Sequence, residues 1–143
     1  MPLVGDTGNG ATFTLTTQSA VSSLKVEKIS ISESALQTLD VSVLSTSGQM
    51  EEIATDLASN PEITLDFVWS QSATAITVSP AVDTATLTFP VGPTQTTTTA
   101  ATLTGTGHVT AIKYPDLENG AAMKGQVKFK FNGDTGPTYT RGA

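Results

Sequence analysis

Residues 62–70 read EITLDFVWS, and this stretch decides the fold class. Apolar and mostly polar residues alternate strictly along it, and the apolar positions are Ile63, Leu65, Phe67 and Trp69. A period of two places successive side chains on opposite faces of a β-strand. The stretch therefore predicts a strand with one face in a hydrophobic core and the other face in water.

Similar alternation along the rest of the chain predicts about eight strands, with mostly short connections. Besides 62–70, the predicted strands cover residues 11–17, 24–32, 36–44, 75–79, 85–89, 103–114 and 123–132. Within 24–32 the apolar residues change phase, which predicts a β-bulge near Glu27 and Lys28. Such half-apolar strands are typical of an antiparallel β-sandwich or barrel, so we expect an all-β fold.

Glycines mark two places in the C-terminal third of the chain. Gly105 and Gly107 interrupt the strand over 103–114 and indicate a bulge or a close approach of another backbone. Asn119-Gly120 favours a hairpin turn that brings 123–132 back as the partner strand.

The segment 50–57, MEEIATDL, has a different pattern. Met50, Ile53 and Leu57 stand at helical spacing, and Glu51 and Glu52 lie near the start, where the helix dipole favours acidic residues. The pattern predicts at most one short helix in the chain, and an extended loop is the open alternative.

The composition fits a folded β protein. Of the 143 residues, 26 are threonine and 13 are serine, and β-branched side chains pack well on a pleated sheet. Disorder is disfavoured because 38% of the residues are hydrophobic and they fall in periodic runs. We expect a single domain over residues 1–143, with flexible arms over 1–10 and 133–143.

The charge balance disfavours several kinds of partner. A formal net charge of −6 argues against gripping nucleic acid, which requires Lys and Arg, and against docking on anionic membranes. This charge is compatible with a protein that lets DNA slide past without gripping it. The chain has no cysteine for disulfides or thiolate metal sites. No signal peptide or apolar run long enough to span a bilayer is recognised, so we expect a soluble protein.

No residue pattern indicates catalysis, a metal or a cofactor. His108 is the single histidine, and a base or ligand requires positioned partner groups. Asp40 and Asp66 lie on the polar faces of their strands, but an acid–base pair acting on a sugar would need an aromatic-lined cleft. Residues 132–136, NGDTG, are better explained as a turn than as a calcium loop. We therefore expect no catalytic residues, no metal and no cofactor.

Five segments in a fixed order carry a resemblance to a known family. They are ALQTLDVSVL (35–44), MEEIATDLASN (50–60), EITLDFVW (62–69), LTGTGHVTAIKYPDL (103–117) and GQVKFKFNGDTGPTYT (125–140). In this order of elements the chain resembles the bacteriophage tail tube proteins, which include siphophage major tail proteins and the related type VI secretion tube protein. One departure is that family members carry a helix of several turns after the EITLDFVW-type strand, where residues 70–83 here are a Ser/Thr/Ala stretch with Ile76 and Val78 in strand-like alternation.

The resemblance implies a subunit of hexameric rings in the virion of a siphovirus, made in the cytoplasm of a bacterial host. Strands of all subunits would join into one barrel, and the stacked rings would form a conduit for DNA ejection. The implied partners are other copies of the chain, the tape measure, the terminator, and the distal tail or baseplate proteins. Passing DNA would not be bound specifically, and no membrane would be bound.

On this interpretation, some residues become candidates for particular surfaces. Asp40 and Asp66 are candidates for the lumen, with ordinary solvent-facing positions as the alternative. The candidate contacts between subunits or rings are Met50, Glu51, Glu52, Ile53 and Leu57, with core packing as the alternative. Two other functions stay open: another virion or secretion module, such as a baseplate ring, tail terminator or capsid decoration protein, and a carbohydrate-binding β-sandwich. The latter is disfavoured because the few aromatic residues mostly lie in core phase.

Overall fold

The structure, a computed structural model, describes residues 10–40, 48, 52–69, 76–91, 99–133 and 136–142. This part of the chain contains nine β-strands and one short 3-10 helix, Ser19–Ser23. The strands are β1 Thr12–Leu15, β2 Lys25–Ile31, β3 Leu36–Asp40, β4 Glu52–Ala58, β5 Glu62–Val68, β6 Asp83–Thr88, β7 Thr102–Lys113, β8 Lys124–Phe131 and β9 Thr138–Thr140. The predicted all-β class is confirmed, and no described helix is long and apolar enough to cross a membrane.

Seven strands form one strongly curled antiparallel sheet, a half-barrel. The strand order is β1-β6-β7-β8-β5-β2, and β9 pairs with the first residues of β7 beyond the end of β8. The predicted bulge in the second strand is confirmed, because the β2–β5 register shifts between Val26 and Lys28. The curl brings β1 against β8, where the rings of Phe13 and Phe129 meet edge to face at 5.9 Å.

The concave side of this sheet holds the hydrophobic core. Alternate residues of β5 and β8 are buried there, as the period of two predicts. The largest fully buried side chains are Phe67, Phe129, Phe131, Ile63, Leu65, Val21, Val109 and Val127. Trp69 continues the buried phase of β5 and stacks on Phe67 at a ring distance of 5.8 Å.

Gly107 and Gly105 mark a close approach of β7 to its neighbours, and the bulge in β7 lies elsewhere. A Cβ on Gly107 would collide with the backbone carbonyl of Lys130, and a Cβ on Gly105 would lie 2.8 Å from Cδ1 of Phe131. The β7–β8 register shifts further along, between Val109 and Ala111. Of the two predicted alternatives, the close backbone approach is therefore the one found at these glycines.

The two remaining strands, β3 and β4, pair with each other in a separate antiparallel sheet, which we call the ribbon. The ribbon continues the β2–β5 ladder: the Ser32 N–H donates to the Glu62 carbonyl, and the Ser59 N–H donates to the Ala35 carbonyl, both at 2.9 Å. Among the described elements, neither ribbon strand contacts any other strand or the 3-10 helix. The ribbon therefore extends beyond the half-barrel.

The helix predicted over 50–57 is wrong for the described part of that segment. Residues 52–58 form β4, whose register pairs Ile53 with Leu39 and Glu52 with Asp40. Helical spacing over only two turns does not outweigh a partner strand that satisfies the backbone hydrogen bonds. Of the two predicted alternatives, the extended one is therefore closer to the structure.

The strand predicted over 75–79 is also absent from its described part, residues 76–79. The Gln18 side chain explains this, because its Nε2 donates to the Thr77 carbonyl at 3.1 Å and its Oε1 accepts from the Thr77 N–H at 2.9 Å. These groups would otherwise bond to a neighbouring strand. Ile76 is buried in the core as the alternation implied, without belonging to a sheet.

The predicted C-terminal arm, 133–143, contains a strand. Thr138–Thr140 forms β9 and pairs with β7, and Tyr139 meets Phe89 edge to face at 5.8 Å. This part of the segment therefore belongs to the sheet. The predicted N-terminal arm, 1–10, lies outside the described residues except for Gly10.

Candidate assembly surfaces

The first candidate surface is the seam between the two edges of the half-barrel. β1 and β2 end the strand order, and each pairs on one side only among the described strands. Unpaired edges present a row of N–H and C=O groups that can pair with another chain. Since the sheet curls, the two edges flank an open groove rather than pointing in opposite directions.

The groove along this seam is largely apolar. One part has a volume of about 420 Å³ and is lined by Val26, Ile29 and Ile31 of β2 and by Leu87 and Phe89 from the β1 side. An adjoining part of about 330 Å³ shares three of its lining residues and reaches further along β1. An added strand or an apolar segment would bury this surface and satisfy the edge backbone groups.

The second candidate surface is the ribbon, where large apolar side chains are exposed. The exposed fractions are 54% for Leu36 and Leu39, 52% for Ile53 and 62% for Leu57, whereas Leu65 of β5 is 1% exposed. Leu39 and Ile53 are register partners and therefore point to the same face of the ribbon. Apolar residues grouped on one projecting element are typical of a contact with another molecule.

The ribbon and its flanks are also acidic. Residues 32–61 contain five acidic residues and no Lys or Arg, and the acidic residues are Glu33, Asp40, Glu51, Glu52 and Asp56. The register places Asp40 directly opposite Glu52. Like charges opposite each other weaken a β-sheet, so this end of the ribbon pairs less favourably than a neutral pair would.

The third candidate surface is the convex side of β2, β5, β8 and the end of β7, which we call the lysine face. All six lysines of the chain belong to β2, β7 or β8, and they are Lys25, Lys28, Lys113, Lys124, Lys128 and Lys130. The β8 lysines alternate with buried residues, which puts them on the side away from the core. Register pairing through β5 and β8 places the other three on the same side.

Two lysines of this face already have partners within the chain. Lys124 forms an ion pair with Glu27 at 3.2 Å, and both side chains are largely exposed. The Lys130 Nζ donates to the Asn60 carbonyl at 2.9 Å. For Lys25 and Lys128, the register partners on β5 are uncharged, namely Val68 and Thr64.

The two predicted lumen residues lie on different sheets. Asp66 lies on the lysine face, where it accepts a hydrogen bond from Gln126 Nε2 at 2.8 Å and has Lys28 as its register partner. Asp40 lies at the end of the ribbon strand β3. The lysines around Asp66 disfavour the predicted role in an acidic lumen wall, and a lumen-facing role for either residue stays a prediction.

The predicted contact residues fall on the ribbon as far as they are described. Glu52, Ile53 and Leu57 lie on β4 and are exposed, so core packing is not their role in the isolated chain. Met50 and Glu51 lie outside the described residues. Their role in contacts between subunits stays a prediction.

A buried carboxylate, Asp83, was not predicted from the sequence. It is 5% exposed and accepts hydrogen bonds from the backbone N–H groups of Thr17, Gln18 and Thr84 at 2.9, 3.0 and 2.8 Å. Burial raises the pKa of the Asp83 carboxyl, but these donors outweigh it and hold the pKa below its ordinary value. Asp83 thus fixes the turn after β1, and only the sequence-distant pairing of β1 with β6 reveals this.

His108 shows no catalytic arrangement. It lies on β7 opposite Lys130, and its Nδ1 is buried without a hydrogen-bond partner. Among the described residues, no group of three or more His, Asp or Glu is placed to hold a metal ion. In the part of the chain that the structure describes, the surfaces open to a partner are the seam, the ribbon and the lysine face.

Comparisons with known proteins leave the family open. The chain matches no protein-family model, and no curated protein is significantly similar to it. The resemblance to tail tube proteins therefore rests on the order of elements in the sequence, and function has to be argued from the surfaces described above.

Proposed function

We propose that this chain is a non-enzymatic structural subunit that assembles with copies of itself into stacked rings, as a tail tube protein of a tailed bacteriophage. In this role it would line a conduit for DNA ejection in the virion. The order of sequence elements supports the family, and the surfaces left open by the fold support self-assembly.

The observation that carries the proposal is the open half-barrel. Its two edge strands, β1 and β2, flank an apolar groove, and each has one unpaired side among the described strands. Natural sheets avoid such edges because they invite aggregation, unless a defined partner covers them. A closed ring of identical copies would cover every edge in the same way.

The charge supports a conduit rather than a DNA-binding protein. A net charge of −6 repels phosphate, so DNA would pass without being held. The lysine face would attract phosphate, so it does not suit the wall of a conduit through which DNA passes. We therefore assign the lysine face to a position away from the lumen.

Electron microscopy of the purified full chain over a range of concentrations, with light scattering alongside, tests the proposal. Rings with a central hole, or tubes of stacked rings, are the expected result. A particle with the mass of a single chain at every concentration would contradict self-assembly. Compact dimers without a central hole would contradict the tube, although they would still show that the chain associates with itself.

A further inference from the structure

Three aromatic residues gather at the end of the large sheet where β5 and β7 stop. Trp69 follows the last residue of β5 and stacks on Phe67, with the ring centroids 5.8 Å apart and the ring planes 23° apart. Tyr114 follows the last residue of β7, and its ring lies 5.6 Å from that of Trp69, at 57°. Since β8 lies between β5 and β7 in the sheet, the contact between Trp69 and Tyr114 reaches across a whole strand.

Gly125 of β8 makes this contact possible. It is the register partner of Phe67, and a Cβ built on it would lie 2.8 Å from Trp69 Cε3 and 3.0 Å from Phe67 Cζ. A side chain at this position would therefore take the space that the Trp69 ring occupies. The Trp69 N–H also donates to the Met123 carbonyl at 2.8 Å, which fixes the backbone of Trp69. The aromatic pair is thus held in place by packing and by a backbone hydrogen bond.

Much of this aromatic cluster is open to water. Tyr114 is 70% exposed, and Leu117 in the turn that follows it is 82% exposed. The phenylalanines of β1, β5 and β8 are at most 4% exposed. A ring that served only to cover Trp69 would lose most of its own surface, as those phenylalanines do. The exposure of Tyr114 therefore indicates a ring available for a contact with another molecule.

Hydrogen-bonding side chains follow the exposed ring within the same turn. Asp116, Glu118 and Asn119 are all exposed, and their carboxylate and amide groups can exchange hydrogen bonds with a ligand. The turn is fixed, because the Ala121 N–H donates to the Glu118 carbonyl at 3.3 Å and Gly120 supplies the positive φ, 82°, at its third position. The fold thus presents an aromatic ring and hydrogen-bonding groups together on one defined turn.

A sugar ring has both of the complementary features. In pyranoses whose substituents are equatorial, the two ring faces carry only C–H groups, which the negative face of an aromatic ring attracts. The hydroxyl groups around the rim can donate to carboxylates and exchange hydrogen bonds with amides. We propose that Tyr114, supported by Trp69, and the turn over 116–119 bind a β-linked oligosaccharide of glucose or N-acetylglucosamine. The net charge of −6 disfavours a stacked nucleobase as the ligand, since the attached phosphate would be repelled.

This inference goes beyond the proposed function and does not depend on it. The ribbon joins the half-barrel at the start of β5, through the hydrogen bond from Ser32 to the Glu62 carbonyl, whereas the aromatic pair lies at the end of β5. The seam runs along the outer edges of β1 and β2, and neither strand supplies a residue of the proposed site. Sugar binding can therefore be measured below the concentration at which the chain assembles.

The fluorescence of Trp69 reports on this site directly, because it is the single tryptophan of the chain. Titration of the full chain with cellohexaose or chitohexaose should give a saturable change in emission with at least one of them. Calorimetry then compares the affinities of the variants. Tyr114→Ala should weaken binding about tenfold or more, because it removes the stacking face. Tyr114→Phe keeps that face and should bind like wild type.

The matched control is Tyr139→Ala. Tyr139 is the other tyrosine of the chain, is 59% exposed, and contacts Phe89 edge to face. It pairs with the first residues of β7, whereas Tyr114 follows the last, so this variant should bind sugar like wild type. Urea unfolding curves verify that each variant is folded.

The outcomes separate the sugar site from self-assembly. Absence of a saturable response to both hexasaccharides, by fluorescence and by calorimetry, overturns the inference, and so does equal weakening in Tyr114→Ala and Tyr139→Ala. Assembly that is impaired in Tyr114→Ala, with neither sugar bound by wild type, would show that the ring serves a contact between copies instead. A chain that binds sugar but never assembles would contradict the proposed function alone.

Discussion

The strands β4 and β5 follow each other in the chain and both begin with Glu-Ile and carry Asp at the fifth position, yet their environments are opposite. β4 reads EIATDLA and β5 reads EITLDFV, and only three residues separate them. In β5, Ile63 is 0% exposed, whereas the equivalent Ile53 of β4 is 52% exposed. The two strands differ in their neighbours, because β5 is flanked by β2 and β8, while β4 pairs only with β3 among the described strands. Between these two strands, burial thus follows the number of flanking strands as well as the local sequence, which places Leu65 in β5 where β4 has Thr55.

The largest effect on stability should come from the core that β5 and β8 share. Phe129 is 1% exposed and packs edge to face on Phe13 and Phe131. Phe129→Ala should lower the free energy of unfolding by about 3–5 kcal/mol, because it removes buried surface and leaves a cavity. Urea unfolding measures the change, and a loss below about 1 kcal/mol would contradict the packing described.

A smaller loss of stability is expected at Gly107, where the backbones of β7 and β8 approach closely. Gly107→Ala would place a methyl group against the Lys130 carbonyl and push the two backbones apart. We expect a loss of about 1–3 kcal/mol in the free energy of unfolding, as for other overpacked sites. Gly133→Ala is the matched control, since the nearest atom to its new methyl group would be 3.6 Å away. Equal effects at both positions would contradict the close approach.

Asp83→Asn should destabilise the half-barrel at neutral pH by about 1–3 kcal/mol, because it weakens the acceptor of three partly buried hydrogen bonds from backbone N–H groups. Since folding lowers the pKa of Asp83, the stability from its charge is present above the unfolded pKa of about 3.9 and is lost as pH falls through the folded pKa. The difference in the free energy of unfolding between wild type and variant, measured with urea, should therefore become smaller in acid. A difference that does not change with pH would show that the charge of Asp83 contributes nothing to stability.

The smallest effect on stability is expected on the ribbon. Leu39→Ser/Ile53→Ser changes two exposed residues, so the free energy of unfolding should change by only about 0.5 kcal/mol or less per residue. The same variant should assemble less well, because it removes the exposed apolar pair from a candidate assembly surface. Leu65→Ser in the equivalent phase of β5 is the contrasting variant, and we expect it to unfold the chain. A ribbon variant that loses stability as strongly would remove the distinction between the two strands.

The sequence predicted the fold best in strands whose apolar residues alternate in step with their buried positions. In β5 and β8 the strict alternation identified both the strands and their buried faces, and the phase change near Glu27 and Lys28 located the bulge in β2. These features are local, since the period of two and its interruption lie within single strands.

The remaining features depend on partners that are distant in sequence. Over a segment as short as 52–58, the spacing of Ile53 and Leu57 fits a helical turn as well as an extended segment. Pairing with β3 is what makes the segment a strand. Residues 76–79 alternate like a strand, but the Gln18 side chain takes the backbone groups of Thr77. The six lysines were visible in the sequence as single residues, and only the register gathers them on one face.

Hydrogen–deuterium exchange of the wild-type chain at low and high concentration tests the central claim, that other copies cover the edges and the ribbon. Amides of β5 and β8 should be protected at both concentrations, because strands flank them on both sides. Amides of β1, β2 and the ribbon should exchange quickly in dilute solution and slow markedly as concentration rises. Identical exchange in these strands at every concentration would contradict assembly through the open surfaces of the half-barrel.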